Sequence, residues 1–447
     1  MNVPSHVECV TPASHRLWLS ICILALVSSV ASAGLYLSHS ADFFTGDDFE
    51  LIADALAGVS IFEPVSSHLR PMARLHCALY HWFDSALFFG GLSLLLHFGA
   101  SVVVFLMARE MYGKSVAVPA SLLFFSFFAA NEAVFWASAA PVLYCMIFSG
   151  LSLVCFIRGR LPLACVLLIP AAMSYELWMV VPLLFVFYRR SFKELIVPFA
   201  LVGIALALQV FVLGGDSAAS YGGISLAEFP SRFARFLSPL AENPPMWISL
   251  PLSAFVLCFF LVRRFRPPAT IYAGSALILS LSVHVSARFY YFPALAVVLV
   301  VAIGICQSRK CIQVPAALLA IGLALASPWV NALDGRDYER KSEMYLELYA
   351  AMEQQFNRLS PGDRAGVINR LGPERLEAWL GDLQGRPKLV FVRGPAVGGM
   401  IDPEDAARMA LYTRGLYPER LDECSGAKIE VGRGEVLALY CFEVKEP

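Results

Sequence analysis

The chain has 447 residues, of which 58% are hydrophobic and 15% are charged, and its formal net charge is -1. Soluble proteins usually carry about 25% charged residues, so this composition argues against a water-soluble globule and indicates a surface covered by lipid. The near-zero net charge gives no electrostatic reason to expect a nucleic-acid partner.

Long apolar runs dominate the sequence up to about residue 333. A membrane-spanning helix needs about 20 mostly apolar residues, because every backbone polar group must be satisfied inside hydrocarbon. About eleven runs meet or approach this length. They occupy residues 17–37, 86–108, 116–130, 134–157, 161–173, 177–188, 195–213, 247–262, 269–284, 289–306 and 312–333. The short runs on either side of Glu176 leave open a pair of half-helices.

Basic residues alternate between the loops. By the positive-inside rule, the loops richer in Lys and Arg predict a cytoplasmic N-terminus. An odd number of spans then places everything after about residue 333 outside the cytoplasm. We expect a multi-pass protein of the bacterial inner (plasma) membrane with a periplasmic tail. The richer loops hold Arg109 and Lys114, Arg158 and Arg160, residues 189–193, residues 263–266, and Arg309 and Lys310.

The first run ends in Ala31-Ser32-Ala33, a pattern typical of a signal-peptidase site. We expect the helix to be retained, because the only strong cation before it is Arg16, which Glu8 offsets. The downstream topology is the same in either case.

Two adjacent carboxylates, Asp47 and Asp48, follow the first run. Neighbouring residues cannot share one face of a helix, so one carboxylate can point into a cleft while the other caps the helix or is solvated. One interpretation is an N-cap before a helix that begins near Phe49. The other is a general base for an acceptor hydroxyl, which needs a carboxylate within hydrogen-bonding reach.

Farther along the same outer loop, His68, Arg70 and Arg74 lie close together in the sequence. Arginine can hold a phosphate through two parallel hydrogen bonds, so Arg70 and Arg74 are candidate phosphate ligands. Anchoring of the loop at the membrane surface is the alternative interpretation.

Three charged residues interrupt later apolar segments: Glu132, Glu176 and Arg288. A charge at the centre of a membrane helix costs roughly 3 kcal/mol, so such residues are usually paired or functional. The predicted topology places all three at outer helix ends, where they could also simply reach water. They lie on the same side as the first-loop candidates, as a single outer site requires. We expect His97, inside the second run, to be structural and hydrogen-bonded to a neighbouring helix.

The polar tail, residues 334–447, is predicted to be a small α/β domain. Residues 1–333 form the transmembrane domain, with residues 38–85 as its first outer loop. In the tail, apolar periodicity predicts helices at 345–356, 376–383 and 404–412, a strand at 388–392, and a hairpin of 428–431 and 436–442 that turns at 432–434. The predicted fold class is an α-helical polytopic membrane protein of about eleven transmembrane helices with a C-terminal α/β extracytoplasmic domain.

Most of the eleven cysteines lie in apolar runs, and no CxxC or Cys/His metal spacing is present. Cys424 and Cys441 fall in the tail, where a disulfide would survive outside the cytoplasm. A bridge between them would close a loop of about 17 residues and contribute about 3 kcal/mol. Both a bridge and two free thiols remain open.

The order of these motifs resembles that of the GT-C glycosyltransferases. Within them it is most similar to the branch of the protein O-mannosyltransferases and the tetratricopeptide-bearing membrane O-mannosyltransferases. The similarity covers about residues 17–333. The matching residues are Asp47 and Asp48, Arg70 and Pro71, residues 131–134 with Trp136, Ser174 and Glu176, and Arg288, Tyr291 and Pro293.

The chain departs from that family at several polar positions. Ala140 and Val142 stand where the family usually has Arg and Asp, Tyr175 stands in place of a Lys, and Ala287 in place of a Glu. The tail also lacks the helical repeats. The sugar and acceptor therefore need not be those of the mannosyltransferases, and an inactive or repurposed member is an alternative.

The resemblance implies inverting transfer of a hexosyl or pentosyl group from a polyprenyl-phosphate donor to a glycan, lipid or protein acceptor on the outer side. Asp47, or else Asp48, would take the proton of the acceptor hydroxyl, and Arg70, Arg74 and Arg288 would stabilise the leaving phosphate. No cofactor is implied. One divalent cation at Asp47 or Asp48 is an open alternative that no three-ligand set in the sequence supports. The remaining candidates, which would bind sugar hydroxyls or orient the arginines, are His68, Glu132, Glu176 and Tyr291.

Other function classes remain open. A transporter or lipid flippase would place ionisable groups near the midplane and often shows paired repeats. A polysaccharide ligase of cell-envelope glycan assembly typically uses arginine and histidine in a late outer loop. A non-catalytic partner subunit would use the tail as a binding module.

Overall fold

The computed structural model describes residues 12–39, 43–44, 48–64, 69–128, 131–212, 262–280, 290–307, 310–356, 359–368, 403–420, 428–431 and 435–445. The predicted elements at 247–262, 376–383 and 388–392 lie outside these residues. In every other predicted apolar run, the residues that the structure describes are largely helical.

The described helices are numbered in chain order. They are α1 (Pro12–Ser38), α2 (Asp48–Leu56), α3 (Pro71–Ala78), α4 (Ala86–Tyr112), α5 (Lys114–Ser126), α6 (Asn131–Phe135), α7 (Pro141–Ile157), α8 (Leu161–Ala172), α9 (Val180–Tyr188), α10 (Ile196–Val212), α11 (Arg266–Ser280), α12 (Tyr291–Gln307), α13 (Lys310–Phe356) and α14 (Pro403–Tyr412).

Four helical segments are long and apolar enough to cross a membrane: Arg16–Ser38, Ala86–Tyr112, Ala137–Ile157 and Lys310–Glu343. They identify an integral membrane protein. The other apolar helices are shorter. For example, α8 has 12 residues and is about 18 Å long, less than the hydrocarbon thickness of about 30 Å. A total of eleven spans therefore remains a prediction.

The run predicted as one helix at 134–157 is divided in the structure. Its first residues form the short helix α6 and a 3₁₀ turn, Ala137–Ala139, separated by the extended residue Trp136. The helix α7 begins only at Pro141, which lacks a backbone N–H and suits the first helical position. The prediction was wrong at this boundary because the apolar composition continues through the break.

Close helix packing in the bundle depends on small residues. A Cβ atom added at Gly150 would collide with Val103 and would lie 2.7 Å from the sulfur of Met107. This position therefore requires glycine for the approach of α7 to α4, as is common between membrane helices.

A buried amide also connects three helices of the bundle. Asn331 of α13 donates to Ser32 Oγ at 2.9 Å and to the carbonyl of Ser126 at 3.1 Å, joining α13 to α1 and α5.

The helix α13 continues from the membrane segment into the tail without interruption. It has 47 residues and is about 70 Å long. The predicted boundary between residues 333 and 334 lies inside it. Its C-terminal part shares a hydrophobic core with α2, α3, the start of α4 and α14. That core contains Phe44, Phe49, Ile52, Cys77, Phe89, Tyr345, Tyr349, Phe356, Ala407, Met409 and Leu411.

The described part of the tail also holds four antiparallel strands, β1 (Arg364–Ile368), β2 (Tyr417–Arg420), β3 (Lys428–Val431) and β4 (Glu435–Lys445). The predicted hairpin is confirmed: Val431 pairs with Glu435 and Lys428 with Ala438. The predicted helix at 404–412 is confirmed as α14. Sequence analysis missed β1 and β2, which pair with the second half of β4. Both strands are short, and β2 contains a proline, which makes a strand harder to recognise from the sequence.

Candidate functional site

Asp48 is the first residue of α2 and is almost fully buried, with 2% of its surface exposed. Its Oδ1 atom accepts a hydrogen bond of 2.7 Å from the backbone N–H of Ser138, in the 3₁₀ turn after α6. This contact brings the acidic segment of the first loop against the segment that follows Glu132. Two regions that the sequence predicted to meet are therefore in contact.

Asp48 lines a small pocket whose other walls are mostly aromatic. The cavity volume is about 20 Å³, which is enough for about one water-sized group. A hydroxyl group fits this space. The lining residues are Tyr36, Phe43, Phe44, Asp48, Ala86, Phe89, Gly90, Val134, Phe135 and Ala137.

Asn131 connects the pocket to the long helix α13. The hydroxyl of Tyr36 donates to Asn131 Oδ1 at 3.0 Å, and Asn131 Nδ2 donates to Asp334 Oδ2 at 2.6 Å. The amide orientation follows from these two contacts, because the carboxylate can only accept. Tyr36 is thus held in the pocket wall by Asn131, which belongs to the segment 131–134 that the sequence analysis singled out. The neighbouring Glu132 is buried in the same short helix.

Arg70 and Glu176, both predicted site residues, form a two-point ion pair. Arg70 Nε and Nη2 donate to Glu176 Oε1 at 3.2 and 3.1 Å, and Nη2 lies 3.0 Å from Oε2. The guanidinium carbon also lies 4.4 Å from the ring centroid of Tyr175, a cation–π contact. Tyr175, which stands where the glycosyltransferases that the sequence resembles have a lysine, therefore helps to hold the side chain of Arg70.

The local sequence explains how this pair forms. Pro71 occupies the first position of α3, so the helix starts immediately after Arg70. The N–H of Met72 donates to the carbonyl of Met173 at 3.0 Å, which docks α3 on the break between α8 and the 3₁₀ helix Glu176–Met179. The break exposes polar backbone groups to α3 and places Glu176 opposite Arg70.

Arg74, predicted to contact the donor phosphate, is instead bound by protein oxygens. Its Nη1 donates to Asp54 Oδ2 at 2.8 Å, its Nε to the carbonyl of Glu63 at 2.8 Å, and its Nη2 to the carbonyl of Pro64 at 3.0 Å. The residue is 5% exposed. These contacts favour a structural role for Arg74.

Asp54 also binds an arginine of the tail. Arg408 Nη2, from α14, lies 2.7 Å from Asp54 Oδ1. The carboxylate of Asp54 is therefore shared by Arg74 and Arg408. Sequence analysis did not select Asp54 or Arg408, and neither stands in a motif that would have distinguished it.

Tyr291, predicted to bind substrate, is fully buried in the bundle. Its hydroxyl lies 2.7 Å from Nδ1 of His97, whose Nε2 lies 2.9 Å from the carbonyl of Phe125. Since a carbonyl only accepts, Nε2 carries the proton and Nδ1 accepts from the tyrosine. The structural role expected for His97 is confirmed, and the same contacts favour a structural role for Tyr291.

His76 of α3 contacts a residue that lines the pocket: its ring lies against the ring of Phe89 at a centroid distance of 5.2 Å. Its Nδ1 is 3.2 Å from the hydroxyl of Tyr144. Burial lowers the pKa of His76 to about 4. The imidazole is therefore neutral at pH 7. Burial also raises the pKa of the adjacent Cys77 thiol, so this cysteine is not a reactive thiolate.

Several predicted site residues lie outside the described residues: Asp47, His68, Arg288 and Cys424. Cys441 lies in β4, opposite Gly366 of β1, and the bridge to Cys424 remains a prediction. Among the residues that the structure describes, no group of three His, Cys, Asp or Glu side chains could hold a metal ion.

Comparison with known proteins gives structural likenesses only. No protein-family model matches the sequence, and no curated protein matches it. The chain is similar to the oligosaccharyltransferase AglB from Archaeoglobus fulgidus in complex with an inhibitory peptide and a dolichol-phosphate, with a TM-score of 0.45 and 12% identity over 89% of this chain and 64% of that chain. It is also similar to ArnT from Cupriavidus metallidurans bound to undecaprenyl phosphate, with a TM-score of 0.44 and 15% identity over 93% of this chain and 97% of that chain.

The chain thus spans about 64% of the length of the archaeal enzyme. TM-scores below 0.5 at these identities assign neither a family nor an activity to this chain.

Proposed function

We propose that this protein is a membrane glycosyltransferase of the GT-C type, which transfers a sugar from a polyprenyl-phosphate donor to an acceptor hydroxyl on the outer side of the membrane. One observation carries the proposal. The helix α2, which presents Asp48 to a water-sized pocket, packs against α3, which begins directly after the Arg70–Glu176 ion pair. An acid–base group and a phosphate-binding group are thereby held on adjoining elements.

The pocket suits the first half of the reaction. A hydroxyl that enters it comes within hydrogen-bonding reach of a carboxylate, as general-base catalysis requires. As the acceptor oxygen attacks the anomeric carbon, the hydroxyl proton passes to Asp47 or Asp48. A single displacement at that carbon inverts its configuration. The bond from the anomeric carbon to the phosphate oxygen breaks in the same step, and the lipid phosphate leaves.

The ion pair suits the second half of the reaction, in which the lipid phosphate leaves. Charge develops on the leaving phosphate, and a fixed guanidinium stabilises that charge without reorganising. Glu176 and the ring of Tyr175 hold the Arg70 side chain in one conformation. Arg288 is retained as a second cation, as the sequence suggested. Arg74 is left out because all three of its guanidinium nitrogens bind protein oxygens and its side chain is 6% exposed, against 18% for Arg70. Glu132 and His68 are retained as candidate sugar-binding residues.

The donor lipid would lie between the membrane helices with its phosphate at the level of Arg70. The acceptor, whether glycan, lipid or protein, would approach from the outer side, where the tail also lies. We propose the bacterial inner membrane, with the N-terminus in the cytoplasm, as the setting.

The test uses membranes that contain the wild-type protein or the variants Asp47→Asn, Asp48→Asn or both, supplied with a labelled polyprenyl-phosphate sugar. We expect the variant that lacks the base to lose transfer and the double variant to be inactive. Asp337→Asn is the matched control, because this carboxylate is exposed on α13 and pairs with Lys341 at 2.7 Å. Full transfer by the double variant would exclude an aspartate base in this segment.

A further inference from the structure

The outer part of α13 binds the backbone that leads from α1 to the acidic pair. His39 Nδ1 lies 2.9 Å from Glu339 Oε2. Ser342 Oγ accepts from the backbone N–H of Phe43 at 2.8 Å and donates to the carbonyl of the same residue at 3.1 Å. One serine hydroxyl therefore satisfies both backbone groups of a residue that lines the pocket.

Burial makes this contact specific. Ser342 is 1% exposed, so water cannot easily replace its hydroxyl, and an unsatisfied backbone group there would be costly. The rings of Phe43 and Tyr349 lie 5.0 Å apart, and those of Phe49 and Tyr345 lie 5.7 Å apart. These aromatic contacts flank the acidic pair on both sides in the sequence.

The far end of α2 is held by a second tail helix. α14 packs against α2, and Arg408 binds Asp54 at 2.7 Å. Arg414, just after α14, donates to the carbonyl of Phe356 at the end of α13. Ser342 and Arg408 thus belong to a connected outer structure that contacts α2 near both of its ends.

We propose that the C-terminal tail is a structural part of the active site, in which Ser342 and Arg408 are positioning residues for the segment that carries Asp47 and Asp48. This inference rests on the proposed function for its effect on catalysis. Neither residue lines the pocket, so each acts through the backbone or the helix that it holds. A displacement of the base by about 1 Å can reduce catalysis by about 100-fold.

The test compares Ser342→Ala, which loses both hydrogen bonds to Phe43, with Ser342→Thr, which keeps a hydroxyl at the same position. We expect kcat to fall about tenfold or more in the alanine variant, with the donor KM changed by less than about twofold. The threonine variant should retain more of the wild-type kcat than the alanine variant. The control is Ser121→Ala, which removes a local hydroxyl contact to Val118 in α5.

Amide hydrogen exchange of residues 48–56 in the purified full-length protein gives a readout that needs no substrate. We expect faster exchange in Ser342→Ala and in Arg408→Gln than in Ser342→Thr, Arg408→Lys or Ser121→Ala. If the wild-type protein transfers no sugar, the proposed function fails, and exchange alone decides whether the tail positions α2.

Two results would overturn the inference. One is wild-type exchange of residues 48–56 in both Ser342→Ala and Arg408→Gln. The other is a wild-type kcat in those same variants, measured in an assay where Asp47→Asn with Asp48→Asn abolishes transfer.

Discussion

Arg70 and Glu176, 106 positions apart in the sequence, form a two-point ion pair in which Nε and Nη2 of the arginine face the two carboxylate oxygens. Their side chains are 18% and 13% exposed, so the pair is largely but not completely shielded from solvent. Glu176 thereby holds the guanidinium of Arg70, the residue that we propose to bind the donor phosphate. The ion pair also joins the start of α3 to the break after α8.

Arg70→Ala should weaken donor binding about 10- to 100-fold, because charge-assisted hydrogen bonds contribute about 1.5–3 kcal/mol. Arg70→Lys keeps the charge but loses the two-point geometry, so we expect an intermediate loss. The measurement is the donor Kd or KM in membranes. Arg340→Ala, which removes an exposed arginine of α13, serves as control. An unchanged donor affinity in a folded Arg70→Ala protein would rule out the phosphate role.

Asp54→Ala should destabilise the protein strongly. The substitution leaves the buried Arg74 without its carboxylate partner, and breaking a buried pair in this way typically costs about 3–5 kcal/mol of unfolding free energy. The measurement is unfolding in detergent, followed as a shift of the midpoint. Asp337→Ala breaks two surface ion pairs, with Arg340 and with Lys341, and should cost less than about 1 kcal/mol for each pair. Equal shifts of the unfolding midpoint in the two variants would contradict a stabilising role for the buried Asp54–Arg74 ion pair.

The buried His76 should make stability depend on pH. Its folded-state pKa of about 4 lies below the ordinary value of 6.5, so the unfolded chain binds more protons between these two values. This contribution to stability is complete above pH 6.5 and is lost as the pH falls towards 4, at up to about 1.4 kcal/mol per pH unit.

Unfolding of His76→Phe, followed from pH 7 to 4, should therefore show a weaker pH dependence than the wild-type protein. His81→Gln is the control, since the ring of His81 is exposed. A wild-type slope in His76→Phe would show that this imidazole is not buried in its neutral form.

Tyr291→Phe distinguishes a structural tyrosine from a substrate-binding one. Removing the hydroxyl leaves the buried Nδ1 of His97 without its donor, which should cost about 1–3 kcal/mol of stability. We expect the donor KM to stay at its wild-type value. A large rise in KM with unchanged stability would restore the role that the family resemblance implied for Tyr291.

Much of the fold could be predicted from local sequence patterns. Apolar length marked the membrane helices, and a glycine-flanked turn between two alternating segments marked the hairpin of β3 and β4. Hydropathy failed at 134–141 because the break before Pro141 is as apolar as the helix that follows. The strands β1 and β2 were missed because a short strand with Gly366 or Pro418 carries little local signal.

The site was predicted only in part, because its contacts join distant parts of the chain. The loop pattern with His68 and Arg74 pointed to Arg70, and a charge inside an apolar segment pointed to Glu176, but no local pattern shows that the two residues pair with each other. Ser342 and Arg408 look like ordinary polar residues of helices, and only the fold brings Ser342 to Phe43 and Arg408 to Asp54 of α2. Conversely, Arg74 was chosen by its place in the loop, and only its hydrogen bonds in the structure show that protein oxygens bind its guanidinium.

The most direct test of the central claim is covalent transfer by the purified protein in liposomes. A labelled polyprenyl-phosphate sugar and an extract of cell-envelope acceptors are supplied, and both the labelled product and the released polyprenyl phosphate are measured. We predict that wild-type protein releases one polyprenyl phosphate for each sugar transferred and that the Asp47→Asn, Asp48→Asn double variant releases none. A wild-type protein that moves the labelled lipid across the membrane with its sugar still attached, or that leaves it unchanged, would contradict the account.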